Sequence, residues 1–180
     1  YCASAARLIA GAALGEEVAE PLEVKGCAHI DPLGRVDEWA VASLRFPGDV
    51  LASLACGMMV NVSPVIRVWG SKGHIVVPTP WFPGRQAGVA EEILLYHDGE
   101  PEPERFVVES DVPLYAVEAD TVARHLADRQ APSPCMTWAD SLGNMKTLDL
   151  WRRSIGLVFD NETPEALAVF KSKVNVRILQ

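Results

Sequence analysis

The spacing of hydrophobic and polar positions changes along the chain, and each change marks a different kind of element. Cys2 to Ala13 is alanine-rich with Leu8 and Ile9, and Gly11 and Gly15 lie at its end. Alanine favours helix and glycine closes it, so the pattern predicts a short opening helix. From Pro21 the spacing falls to every second residue. Val24, Gly26, Ala28 and Ile30 alternate with Glu23, Lys25, Cys27 and His29; then Ala40, Ala42 and Leu44 alternate with Trp39, Val41 and Ser43. Such alternation marks strands with two distinct faces. Phe46-Pro47-Gly48-Asp49 is a turn, and Val50 to Met59 returns as the antiparallel partner.

Further strands are predicted at Val65–Trp69, His74–Val77, Glu92–His97 and Arg105–Glu109, with Gly70-Ser71-Lys72-Gly73 and Asp98-Gly99 as turns. Thr79 to Gly88 is an ordered loop. After Pro113 the spacing becomes helical, with Tyr115, Ala119, Val122, Ala123 and Leu126 on one face. A second late helix starts at Thr137, with Asp140 placed for a capping box. It carries Leu142, Met145, Leu148 and Trp151 to a stop at Gly156. The tail offers a short helix from Pro164 and a strand at Val174–Leu179. Strands and helices are segregated, which is the α+β pattern. The expected fold is one mainly antiparallel open sheet of about seven strands, with helices packed on one face.

Both faces of the central hairpin lack charge: Ala40, Ala42 and Leu44 oppose Trp39, Val41 and Ser43, and Ala52, Leu54 and Cys56 oppose Leu51, Ser53 and Ala55. Helices on one face leave the other apolar and open, a surface that monomers seldom expose over a large area. The chain is therefore expected to form a homodimer or higher oligomer through its sheet.

Composition narrows the function classes. Of 180 residues, 49% are hydrophobic and 22% charged, as in a folded globular domain. A net charge of −8 without any Lys/Arg stripe argues against nucleic acid or an anionic membrane as partner. Cys2, Cys27, Cys56 and Cys135 form no CxxC pair and read as reduced thiols of a cytoplasmic protein. A chain that opens on Tyr1, already in helical rhythm, is expected to be cut from something longer.

Cofactor and catalytic fingerprints are missing. No GxGxxG, GxxxxGK[ST] or GxSxG occurs, and His29, His74, His97 and His125 have no second ligand at metal-site spacing. No metal site and no dinucleotide site is expected in these residues.

Several segments taken in order resemble the C-terminal domain of the Gfo/Idh/MocA oxidoreductases, the relatives of glucose–fructose oxidoreductase and inositol dehydrogenase. Tyr1 to Gly11 resembles the helix that opens that domain, and Asp37–Phe46 with Gly48–Leu54 resembles its central hairpin. Val68-Trp69-Gly70-Ser71-Lys72-Gly73-His74-Ile75 is similar to its G-x-x-G-x-I turn, and Pro78 to Phe82 to the proline–aromatic segment that follows. Tyr115–Asp120 and Asp140–Met145 resemble its closing helices. The likeness runs to about Asn161, so residues 1–161 are expected to form the substrate and oligomerisation domain, with 162–180 as its C-terminal extension.

The resemblance implies an N-terminal Rossmann domain, absent from this chain, that binds NAD or NADP. This chain then shapes the pocket for a sugar, polyol or cyclic alcohol and is inactive alone. Tyr1 looks like the last position of the family's Asp-x-Gly-x-His/Tyr stretch, where a His or Tyr assists proton transfer; the Asp and Gly before it are missing here. Arg67, Lys72, His74 and Trp81 are candidates to touch the substrate. The alternative is a stand-alone, non-catalytic oligomerisation or ligand-binding module.

Overall fold

Helix α1 (Cys2–Leu14) forms where alanines dominate, and it ends on Gly15 in the left-handed conformation, φ 75°. The Gly15 and Glu16 N–H groups bond back to Ala12 O and Gly11 O, which satisfies the last carbonyls of the helix. A computed structural model describes residues 1–173, the last four by their backbone alone. Seven strands follow: β1 (Glu23–Ile30), β2 (Asp37–Arg45), β3 (Leu51–Gly57), β4 (Ile66–Gly70), β5 (Gly73–Val77), β6 (Glu91–His97) and β7 (Glu104–Val108). Helices α2 (Leu114–Arg124), α3 (Trp138–Ser154) and α4 (Pro164–Lys173) complete the described chain. The strand expected at Val174–Leu179 lies outside the described residues.

The described chain divides into two compact units: residues 1–62 with 138–173, and residues 63–137. In the first, β1, β2 and β3 form an antiparallel meander, with Ala42 opposite both Gly26 and Leu54. The alternation read from the sequence holds. Ala40, Ala42, Leu44 and Leu54 face inward and pack with Ala3, Ala6 and Ala10 of α1 and Trp151 of α3. Trp39, Val41, Ser43, Leu51, Ser53 and Ala55 stay exposed on the opposite face. Alanine side chains let α1 lie close against the sheet. Burying each Leu there contributes about 1.5–3 kcal/mol.

The second unit is another antiparallel meander, β4 to β7. Gly73 turns β4 into β5 at φ 145°, where a Cβ would collide with the Tyr96 carbonyl, so only glycine fits. The fold is thus α+β, but the single seven-strand sheet is corrected to a three-stranded and a four-stranded sheet. The reason lies between Gly57 and Ile66. The Met58 and Met59 N–H groups both turn back to Glu38 O, and Pro64 has no N–H to give to a ladder. No strand pairing carries β3 into β4.

Both late helices also turn differently from the expected stripes. On α3 the buried positions are Gly143, Thr147 and Trp151, while Leu142 and Met145 are exposed. On α2, Tyr115 and Val122 are exposed, as is Leu126 just beyond its end. On α3, residue size overrides hydrophobicity at the contact, because the inward face meets a buried arginine.

Candidate functional site

Tyr1 stands at the N-cap of α1. Its carbonyl accepts the Ala5 N–H at 2.9 Å, while the side chain is 91% exposed. Helical spacing lines up Ala3, Arg7, Ala10 and Leu14, so a charge falls on the apolar stripe. Arg7 is completely buried. Its Nη2 donates to Glu20 Oε1 at 2.6 Å, and its Nη1 donates to the Asp140 carboxylate and, at 3.1 Å, to the Asp140 carbonyl. Nε is buried without a partner among the described residues. Burial works against the charge, but hydrogen bonds to Glu20 and Asp140 outweigh it and raise the guanidinium pKa further. A Cβ at Gly143 would strike both Arg7 Nη2 and Glu20 Oε1, which is why α3 presents glycine there. Asp140, expected as a capping-box residue, is a partner of Arg7. Sequence reasoning passed over Arg7, although a charge on an alanine stripe was a readable signal.

The second unit holds the candidates for substrate contact. Trp69, His74 and Tyr96 are cross-strand partners on β4, β5 and β6 and form one row on a sheet face. The His74 and Tyr96 rings stack with centroids 4.5 Å apart and planes 3° from parallel. Arg67 shares this face, since it pairs with Val76, two residues from His74. Lys72 sits in the β4–β5 turn beside the row, and both cations are exposed. The structure therefore brings Arg67 and His74 onto one face with Lys72 at its edge. Trp81 lies in the loop between β5 and β6 and is half-buried. Tyr1 belongs to the other unit.

A cavity of about 360 Å³ opens in the second unit, lined chiefly by Val77, Pro83, Ile93, Val108, Leu114 and Val117. Glu91 pins the overlying loop by accepting the Thr79 hydroxyl and, at 3.4 Å, the Gly84 N–H. Arg67, Lys72, His74 and Trp81 do not line it. An apolar recess of this kind suits hydrocarbon rather than a polyol.

Among the described residues no His, Cys, Asp and Glu side chains gather as a metal site, and no helix is long and apolar enough to cross a membrane. The described strands pair antiparallel throughout, without the parallel βαβ unit that seats a pyrophosphate on a helix N-terminus.

The architecture is shared with two solved enzymes, a 3-ketoreductase and a UDP-N-acetylglucosamine 3-dehydrogenase. The 3-ketoreductase KijD10 from Actinomadura kijaniata, in complex with TDP-benzene and NADP, superimposes with a TM-score of 0.68 at 19% identity, covering 85% of this chain and 45% of its own. A tyrosine-to-phenylalanine variant of that enzyme gives 0.65 at 20% identity, over 85% of this chain and 44% of its own. The UDP-N-acetylglucosamine 3-dehydrogenase GnnA from Acidithiobacillus ferrooxidans gives 0.56 at 17% identity, over 82% and 44%. The chain spans less than half the length of these neighbours. No protein-family model and no curated protein matches it in sequence.

Proposed function

We propose that this chain is the C-terminal substrate-binding and oligomerisation domain of an NAD(P)-dependent oxidoreductase acting on a sugar, polyol or cyclic alcohol. The observation that carries the reading is the fold shared with an NADP-bound ketoreductase over 85% of this chain but only 45% of that one. An N-terminal Rossmann domain outside these residues would hold the nicotinamide, which supplies the hydride chemistry. Residues 1–161 would form the substrate domain and 162–180 its extension.

This chain's own part is to orient the substrate and move a proton. Tyr1 is the catalytic candidate: its phenol oxygen, at the exposed start of α1, gives or takes the proton of the reacting hydroxyl. Arg67, Lys72 and His74 offer donors and an aromatic face to a hydroxyl-rich substrate, and Trp81 adds a second ring. The exposed face of β1–β3 would mate with a second copy. Trp39 is 39% exposed there, Val41 49% and Leu51 73%.

The test uses the protein expressed from its full reading frame and follows nicotinamide oxidation with a panel of sugars and polyols. Turnover supports the reading. A reading frame without a nucleotide-binding segment, or no turnover with any sugar, overturns it. The chain alone should show no micromolar NADPH binding by calorimetry.

The apolar face also favours a second reading, a non-catalytic oligomerisation or ligand-binding module, which predicts the oligomer without turnover. Light scattering measures the shared element. A mass near the monomer's 19.6 kDa removes it, and Val41→Lys should dissociate the oligomer without unfolding the domain.

A further inference from the structure

An alanine face is a poor lock. Ala3, Ala6 and Ala10 let α1 lie close on the sheet, but their uniform, short side chains leave few steps that oppose sliding or rotation along the helix axis. Something else must fix where the helix stops, and with it the position of Tyr1.

We infer that Arg7 is the positioning residue of α1: its guanidinium, held by Glu20 and Asp140, pegs the helix in one axial setting and so places the Tyr1 phenol. The inference rests on the proposed role of Tyr1 as proton carrier.

Arg7 is the one charged side chain on the buried stripe of α1, and it is fully withdrawn from water. Its carboxylate partners come from different segments. Glu20 follows the helix in the stretch leading to β1, and Asp140 lies in the first turn of α3. A guanidinium held from two directions by charge-assisted bonds resists both translation and rotation, because either motion breaks a part-buried bond. The neighbouring backbone reinforces the setting. The Ala19 N–H bonds to the Arg7 carbonyl at 3.0 Å, and a Cβ on Gly11 would lie 2.5 Å from the Val18 Cα. Gly143 leaves room for the Arg7 fork and for nothing larger. Arg7 is less than two helical turns from Tyr1 on a continuous α-helix, so a shift at the peg carries directly to the phenol.

A displaced proton carrier slows the chemical step more than it weakens substrate binding. In the full-length enzyme, Arg7→Gln should lower kcat by roughly tenfold to 100-fold while KM changes by less than about twofold. Arg7→Lys, which restores the charge without the fork, should recover part of the loss. The discriminating variant is the pair: in a Tyr1→Phe background, Arg7→Gln should cost less than about twofold more, because there is no phenol left to misplace. Losses that multiply would overturn the inference, as would a normal kcat for Arg7→Gln when Tyr1→Phe is slow.

A second readout needs no activity. Cys2 sits in the first turn of α1, with Sγ 3.7 Å from the Ala55 carbonyl. Maleimide labelling of Cys2, resolved by mass spectrometry, should quicken by about tenfold or more in Glu20→Gln, a milder lesion than loss of the arginine. Unchanged Cys2 labelling in Glu20→Gln and Arg7→Lys alike overturns the peg. Normal kcat in Tyr1→Phe together with quickened labelling would instead remove Tyr1 from the mechanism and leave Arg7 as the peg of α1.

Discussion

The two units use the same device, an antiparallel meander of consecutive strands, and reach opposite interiors. In the first unit one sheet face is closed by α1 and α3, and every buried apolar residue among the described ones lies there, from Ala3 to Leu157. In the second, β4 to β7 carry Val, Ile, Leu, Phe and Tyr in quantity, yet none is buried; Ile75, Val76 and Ile93 to Tyr96 are all half-covered. Hydrophobic content is therefore not what separates the units. A layer of helix set on the sheet by small residues makes a core, and a sheet with little cover does not. The covered unit holds the peg and the proton-carrier candidate. The open unit holds the aromatic row of Trp69, His74 and Tyr96 and the unburied cations Arg67 and Lys72.

Trp151 marks the largest difference between the two units. Its side chain is the largest apolar group in the core and sits over Gly26, where a Cβ would approach the indole within 2.7 Å. Trp151→Ala should cost the first unit about 3–5 kcal/mol in urea unfolding. A loss below about 1 kcal/mol would mean that the first unit has no more core than the second.

Gly143→Ala comes next. The added methyl meets the Arg7 fork and the Glu20 carboxylate, which are fixed by their own bonds. Overpacking of this kind costs about 1–3 kcal/mol, read by the same unfolding curves. An unchanged midpoint would show that the peg yields easily.

The sequence made the strands readable and left the packing partly hidden. Alternation at Val24–Ile30 and Trp39–Leu44 told the strands and their two distinct faces, but not which face turns inward, because both faces of the hairpin lack charge. Gly15, Gly48 and Gly156 told the chain reversals, and all three adopt positive φ. The helix faces were misread for a physical reason. On α3 the closest contact is made by Gly143 against the Arg7–Glu20 pair, while the large residues Leu142 and Met145 turn outward. On α2 the stripe was real in sequence, but Leu114 and Val117 reach the sheet only across the open cavity and no α2 residue is buried. The sheet break near Pro64 had a local signal, but neighbouring hairpins read as one ladder. For the site, Arg67 and His74 were legible as strand residues. Their common face required the register, and the partner ring Tyr96 came from a strand about twenty residues away.

The open unit should tolerate what the closed one does not. Ile93 is half-buried, on the cavity side of β6. Ile93→Ala should therefore cost about 1 kcal/mol, well below the Trp151 substitution although both empty an apolar site. A loss as large as that of Trp151→Ala would show that the second unit is covered in solution, and that its open faces belong to an assembly.

The smallest effect concerns two thiols, one in each unit. Cys56 faces the core on β3, whereas Cys135 is exposed in the second unit. Burial raises the Cys56 pKa, and the neighbouring Cys2 and Asp37 push it in the same direction. The folded state then holds the Cys56 proton to higher pH than the unfolded chain does. Stability from this group is intact below the unfolded thiol value of about 8.5 and is lost as pH rises from there through the folded pKa. Cys56→Ala should flatten that alkaline decline. In maleimide labelling resolved by mass, Cys135 should react first at neutral pH. Cys56 should lag, with a rate profile displaced toward alkali, because only the thiolate attacks. Equal rates for the two at neutral pH would mean that water reaches the β3 side of the core as freely as it reaches the second unit, and the contrast between closed and open interiors would not survive.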